Sequence, residues 1–200
     1  MHQKLHYYFF VLSLFLSSSI YGQDISLYKQ YNGRFDFVFI GNTLNKLENG
    51  TGGPCEINTS STATLALNPD DIIENAYLYW AGSGYGDFDV KLNNQVITAQ
   101  RTFNVVQATS GLPFFSAFAD ITSLIQTTGN GDYTLSELDL TNVINFYCFN
   151  GTNFGGWAIV LVYKNDNLPL NQLNIYDGLE YVPNEINITL NNLNVIDNED

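Results

Sequence analysis

Positive charge is scarce in this chain. Seven Lys and Arg face 20 Asp and Glu across 200 residues, the net charge is −13, and only 14% of residues are charged. An acidic surface repels phosphate backbones and anionic lipid headgroups, so no nucleic acid and no membrane surface is expected as a partner through bulk charge. Histidine is scarcer still, and both copies, His2 and His6, stand at the very start. Cysteine is limited to Cys55 and Cys148. No apolar run reaches the roughly 20 residues that a membrane-spanning helix needs. What remains is 45% hydrophobic and 14% aromatic, too apolar for a disordered acidic tail and enough for one domain with a substantial core.

Residues 1–23 (MHQKLHYYFFVLSLFLSSSIYGQ) carry Lys4, then an apolar run from Tyr7 to Leu16, then Ser17 to Ser19 and Gly22-Gln23. That three-part layout predicts a secretory signal peptide, cleaved near Gly22 with Ser19 as the alternative. A buried N-terminal strand is the competing reading. No Cys lies near the cut, which argues against a lipoprotein. Removing the leader takes both histidines and Lys4 with it. The mature chain then lacks Ser-His-Asp and Cys-His catalysis, imidazole acid–base chemistry and His-ligated zinc. No membrane span is expected in the mature chain. In an exported protein an even cysteine pair points to a disulfide, here Cys55–Cys148, closing a loop of about 90 residues worth roughly 4–5 kcal/mol by chain entropy. The alternative is two free thiols, of little reactivity with so few cations near them.

Residues 24–200 are expected to form a single domain, all-β, an antiparallel β-sandwich or jelly roll with one short helix. Strand patterns run over Arg34 to Ile40, Ser61 to Leu67, Asn75 to Ala81, Asp87 to Leu92, Gln95 to Ala99, Thr102 to Val106, Asp132 to Leu140, Val143 to Tyr147, Gly156 to Tyr163, Leu173 to Tyr176 and Glu185 to Ile196. Asn93-Asn94 tolerates positive φ and predicts a two-residue hairpin turn. Asp120 is a suitable N-cap for a helix through Ile121, Leu124 and Ile125, ended by Gly129. Gly156 to Tyr163 (GWAIVLVY) is almost continuously apolar and is expected to be a central strand covered on both faces. Residues 45–58 (NKLENGTGGPCEIN) read as a loop pinned at its end by Cys55. The strand pattern runs straight into Asp197 to Asp200, so the chain is expected to be the N-terminal piece of a longer one.

Candidate sites are few. GSGYG at 82–86 fits neither a phosphate loop nor a dinucleotide fingerprint nor a nucleophile elbow, and reads as a tight turn. Carboxylates could hold calcium, with Asp87, Asp89 and Asp132 beside glycine-rich turns as weak candidates; none matches a helix-flanked calcium loop, and no cofactor is otherwise expected. A two-carboxylate glycosidase needs no histidine, but with so many acids chance pairs are certain. Trp80, Tyr85 and Tyr181 are the low-ranked candidates for stacking on sugar rings, while Trp157 belongs to the core.

Several phrases then combine: AYLYWAG (76–82), FFSAFADITSLIQTTGNGDYTL (114–135), YC (147–148), GGWAIVLVYKN (155–165) and LNIYDGLEYV (173–182). As an ordered set over residues 34–196 they resemble the N-terminal β-sandwich module of large exported bacterial surface proteins. Those proteins end in a gliding-motility-associated C-terminal domain and leave by the type IX secretion route. The resemblance implies export, a secreted or cell-surface location, and a part in adhesion or extracellular structure. Cys55 and Cys148 match cysteines of that module, and it offers no catalytic residues to transfer. The repeats and sorting domain of such proteins are not in this sequence. The expectation is therefore a non-catalytic surface module contacting extracellular polysaccharide or surface components. A discrete glycan-binding module is the second reading, and a glycosidase the third.

Overall fold

A computed structural model describes residues 23–49, 55–182, 185, 187–190 and 193. The predicted leader lies outside them apart from Gln23, which opens the first strand. Among the described residues there are eleven strands: β1 (Gln23–Gly33), β2 (Phe35–Thr43), β3 (Ser60–Leu65), β4 (Ile72–Ser83), β5 (Asp89–Leu92), β6 (Gln95–Thr98), β7 (Arg101–Val106), β8 (Pro113–Asp120), β9 (Gly131–Ser136), β10 (Gly155–Lys164) and β11 (Asn171–Leu179). One α-helix, α1 (Thr122–Thr128), and one 3-10 helix (Ile144–Asn150) complete the described elements.

The strands form an antiparallel β-sandwich. A five-stranded sheet in the order β2-β10-β4-β8-β7 packs on a four-stranded sheet in the order β3-β9-β5-β6. Alternation explains the packing. Along β4, Ala76, Leu78 and Trp80 face the second sheet, as do Ile159 and Leu161 of β10 and Ala117 and Ala119 of β8. Leu65, Val90, Leu92, Tyr133 and Leu135 meet them from the other side. The β5–β6 turn uses Asn93 and Asn94 at φ 48° and 66°, the left-handed region that asparagine accepts at least cost. Asn93 also takes the Thr134 amide on its Oδ1 at 2.8 Å, locking the hairpin to β9.

The other face of the five-stranded sheet carries a third layer. β1 and β11 pair into a two-stranded ribbon that lies across it. Tyr28, Ile175 and Leu179 pack on Tyr77, Phe103 and Phe118. The apolar pattern of β10 is thereby explained, since Ile159 faces the sandwich core and Val160 faces the ribbon. β4, not β10, holds the middle position; β10 stands next to it.

Three polar contacts fix the ribbon. Arg101 makes a two-pronged pair with Asp177, with Nη1 at 3.1 Å from Oδ1 and Nη2 on Oδ2. Its guanidinium also lies 4.1 Å from the ring centroids of both Tyr28 and Phe118. The Tyr79 hydroxyl donates to Asp177 Oδ2 at 2.7 Å. Tyr31 donates to Asn75 at 2.9 Å and lies 2.7 Å from the Tyr77 hydroxyl.

Several expectations are corrected. β1 was not expected, because its run DISLYKQYNG interleaves polar residues with apolar ones that face only the ribbon interface. Val143 to Tyr147 is not a strand: residues 144–150 form the 3-10 helix, closed by Gly151 at φ 69°. The described residues of the expected strand from Glu185 to Ile196 belong to no strand; the others lie outside the described residues. In the predicted helix, the Asp120 carboxylate does accept the Thr122 amide at 2.9 Å, although Ile121 occupies the capping position.

Two predictions follow from the ribbon. Asp177→Ala leaves Arg101 without its anion under an apolar layer. The cost is expected at about 2 kcal/mol, below the roughly 3–5 kcal/mol of a fully buried pair because Arg101 keeps a third of its side chain in water; urea titration measures it. The second is alkaline sensitivity. Burial pushes the Tyr31 hydroxyl from 10.0 up to about 12, and burial likewise raises Tyr77 and Tyr79. The unfolded chain ionises first, so stability present below pH 10 is lost as pH rises toward 12, with Tyr31 alone accounting for about 2–3 kcal/mol. Urea midpoints from pH 9 upward are expected to fall steeply, and Tyr31→Phe to flatten the decline.

Candidate functional site

At one end of the five-stranded sheet, where β2, β4 and β7 finish and β8 and β10 begin, four loop segments converge. They are residues 44–49 with 55–58, 83–88, 107–113 and 138–154. Cys55 and Cys148 join the first to the last, with Cα atoms 5.7 Å apart. Asn45 extends the tie, its Nδ2 donating to Asn153 O at 2.9 Å and its Oδ1 accepting the Gly155 amide at 3.1 Å. The buried Ser83 hydroxyl donates to Thr152 O at 2.8 Å and accepts the Phe154 amide at 3.0 Å. The second segment reaches the third where the Gly84 amide donates to Pro113 O at 3.0 Å.

The 3-10 helix displays two faces for a simple reason: residues three apart eclipse in that geometry. Ile144 and Tyr147 point inward, and the Tyr147 hydroxyl donates to Pro113 O at 2.6 Å. Phe146 and Phe149 point outward, 66% and 69% exposed. Tyr85, at the tip of the glycine-rich turn, is 80% exposed. Gly84 holds φ at +112°, and a Cβ there would meet Val143 Cγ2 at 3.2 Å, so the turn sits against the segment that carries the phenylalanines. Leu47, also exposed, belongs to the same end. The result is a group of bare aromatic rings on loops held by a disulfide, buried hydrogen bonds and a buried tyrosine.

The residues singled out from sequence fall in different places. Tyr85 is on this end. Tyr181 is half-buried, with its hydroxyl 3.4 Å from Thr109 Oγ1 on the turn between β7 and β8. Trp80 is a correction: it is 1% exposed, because β4 is the middle strand and this side faces the second sheet. Its Nε1 donates to Asp87 O at 2.8 Å, so it anchors the turn and offers no ring to a ligand. Trp157 is core as expected, donating to Ser61 Oγ at 2.8 Å. The three calcium candidates serve separate local bonds. Asp87 accepts the Asp139 amide at 3.2 Å, Asp89 accepts the Thr98 hydroxyl at 2.6 Å, and Asp132 accepts the Thr64 hydroxyl at 2.6 Å. Among the described residues no three His, Cys, Asp or Glu gather as metal ligands.

Phe146 and Phe149 were not singled out. Their signal is readable as F-x-x-F ahead of Asn150-Gly151, which suits a single helical turn, but the β-branched and aromatic residues of VINFY favour a strand. The carboxylates with resolved shifts move downward. The Lys46 ammonium lowers Glu56, the Asn165 amide lowers Asp71, and the Thr141 hydroxyl and amide lower Asp139. A glycosidase acid needs the opposite, a carboxyl held protonated near neutral pH.

A second feature lies on the ribbon side. An apolar groove of about 360 Å³ runs between β11 and the outer face of β2 and β10, floored by Phe37, Phe39, Val160 and Val162. Phe37 and Phe39 stay 49% and 60% exposed.

Compared with known proteins, the chain matches no family model, no curated protein and no solved structure. No helix among the described residues is long and apolar enough to cross a membrane.

The cross-link spans 93 positions. Cys55→Ser with Cys148→Ser is expected to cost about 3–4 kcal/mol, allowing for residual structure in the unfolded chain. Limited proteolysis should then cut first within 45–58 and 144–151, leaving the two sheets as the resistant core.

Proposed function

We propose that the protein is an exported, non-catalytic surface module that holds extracellular polysaccharide or another surface component through its disulfide-pinned aromatic end. The observation that carries this reading is the exposure of Tyr85, Phe146 and Phe149 together on a rigid base. Exposed rings on rigid loops give contact area at little cost in conformational entropy, and flat aromatic faces suit the C–H faces of sugars and apolar protein surfaces alike. The signal-peptide layout, the absence of histidine beyond position 6 and the resemblance to N-terminal modules of type IX-secreted surface proteins support an adhesive or structural role outside the cell. Single contacts of this kind are weak, and repeated presentation on a surface supplies the avidity.

A glycan-binding module is the narrower second reading, favoured by Tyr85, the one exposed ring with a hydroxyl at this end. It draws no support from Trp80, which is buried.

The test is retention of the purified secreted chain on immobilised extracellular polysaccharide and on whole cells. Tyr85→Ala with Phe146→Ala and Phe149→Ala removes about 1 kcal/mol per ring, a loss of roughly 100-fold or more in retention, with an unchanged thermal melt. Retention that survives the triple substitution removes the aromatic end from the reading; no retention of the wild-type chain on any surface removes adhesion.

A further inference from the structure

Charge is unevenly placed around the aromatic end. Across the loop segments that build it, with the uncharged GTGGP of 50–54 counted in, the sequence holds one cation, Lys46, and four acids, Glu48, Glu56, Asp87 and Asp139. Lys46 is already taken, its Nζ 2.8 Å from Glu56 Oε2. The other five cations of the described residues are engaged as well. Lys91 pairs with Glu137, Arg101 with Asp177 and Lys164 with Glu74. Arg34 donates to Leu168 O, and Lys29 stands over the Tyr31 ring. No cation pairs with Glu48, Asp87 or Asp139 among the described residues.

These three carboxylates flank the exposed rings. Asp87 lies two residues beyond Tyr85 on the same turn, and its Oδ2 accepts the Asp139 amide at 3.2 Å. Asp139 is held in turn by Thr141, whose amide and hydroxyl reach its Oδ1 at 3.0 and 2.6 Å and favour its ionised form. Gly84, beside Tyr85, abuts Val143, the residue that precedes the 3-10 helix. Two acids therefore stand where that helix begins. Where it ends, the Asn49 side-chain amide donates to Gly151 O at 3.1 Å, which places the exposed Glu48, one residue earlier, beside that point. Phe146 and Phe149 lie between the two ends.

We propose that the ligand of the aromatic end is an amine-bearing polysaccharide, a polymer of amino sugars whose amino groups are unacetylated and cationic. The inference rests on the binding role proposed above and names what fills it. Ring faces stack on the C–H faces that any pyranose offers, so stacking alone does not choose among sugars. Charge does. An acidic polymer, carrying uronate or sulfate, meets three carboxylates and no free cation. A neutral polymer meets the rings and leaves the carboxylates unused. An amino-sugar polymer lying across Tyr85, Phe146 and Phe149 brings ammonium groups to the carboxylates at both ends of the helix. Each such pair is exposed and weak alone, so the gain comes from several along one polymer. The net charge of −13 draws a polycation toward every face of the molecule, and the rings fix where it stays.

The experiment titrates the whole chain with pentasaccharides at about pH 5.5, where carboxylates are ionised and sugar amines protonated, and reads amide shifts by NMR. Glucosamine, N-acetylglucosamine and glucose pentamers share one β-linked backbone and differ only at C2; a galacturonic acid pentamer supplies negative charge. The glucosamine pentamer is expected to bind about tenfold more tightly than the glucose pentamer at low salt, with the galacturonate weakest. Added salt shrinks that advantage. Glu48→Gln with Asp87→Asn and Asp139→Asn brings the glucosamine pentamer down to the level of the glucose pentamer. Each substitution keeps an acceptor oxygen for the local bonds, and Glu48→Gln alone, at an exposed side chain, shows part of the loss if the triple variant fails to fold. Tyr85→Ala with Phe146→Ala and Phe149→Ala weakens the glucosamine pentamer as well. A glucose or N-acetylglucosamine pentamer that binds as tightly, or a galacturonate that binds tightest, overturns the inference and leaves the adhesive reading standing. Glucosamine binding that survives the loss of the rings, or a preference that survives the loss of the acids, also overturns it, since bulk charge then holds the polymer. No shift with any pentamer overturns it too, and retention of the chain on whole cells then decides the broader reading separately.

Discussion

The interaction on which most of this structure depends is the grip of Asp177 on Arg101. The five-stranded sheet is apolar on both faces, with Tyr77, Tyr79, Phe103 and Phe118 turned away from the sandwich core. A two-sheet sandwich would leave those rings in water. A two-stranded ribbon is too small to be stable by itself, so it needs something that holds it down at a defined angle. The paired guanidinium and carboxylate do this, with Tyr28 and Phe118 flanking the guanidinium and the Tyr79 hydroxyl taking up a second bond to the acid. The groove beside β11 follows from where that grip sets the ribbon.

The two surfaces of interest are built in opposite ways. The aromatic end is made of loops, and loops expose rings at defined places only when something rigid stands behind them. Here that something is distributed over the disulfide, Asn45, Ser83 and Tyr147, each of which ties residues far apart in the sequence. The groove is made of regular strands and needs no such ties. Its exposed phenylalanines follow from the position of β2 at a sheet margin that the ribbon covers only in part.

Much of the sandwich was legible because period-two alternation is strong wherever one face meets the core. Asn75 to Ala81, Gln95 to Ala99 and Thr102 to Val106 each lie within a strand or overrun one by a single residue, and Asn93-Asn94 forms the turn its residue types demand. What was not legible depends on partners distant in sequence. β1 has a diluted pattern because it covers a sheet already formed. Trp80 was open to two readings until the sheet order placed β4 in the middle. The Arg101–Asp177 pair joins positions 76 apart, and nothing local distinguishes that arginine or that aspartate from its neighbours. The 3-10 helix was missed because five residues rich in β-branched and aromatic side chains fit a strand as well as a single turn, and Tyr147 reaches Pro113 only in the turn.

The two tryptophans stand opposite each other on neighbouring strands, Trp157 beside Trp80, both sealed between the sheets. Their light emission therefore gauges whether the sheets remain closed on each other. Trp80 is also bonded to Asp87 O in the turn that carries Tyr85, so the same emission senses a displacement of that turn, while a ligand that settles on the rings without moving it never touches an indole.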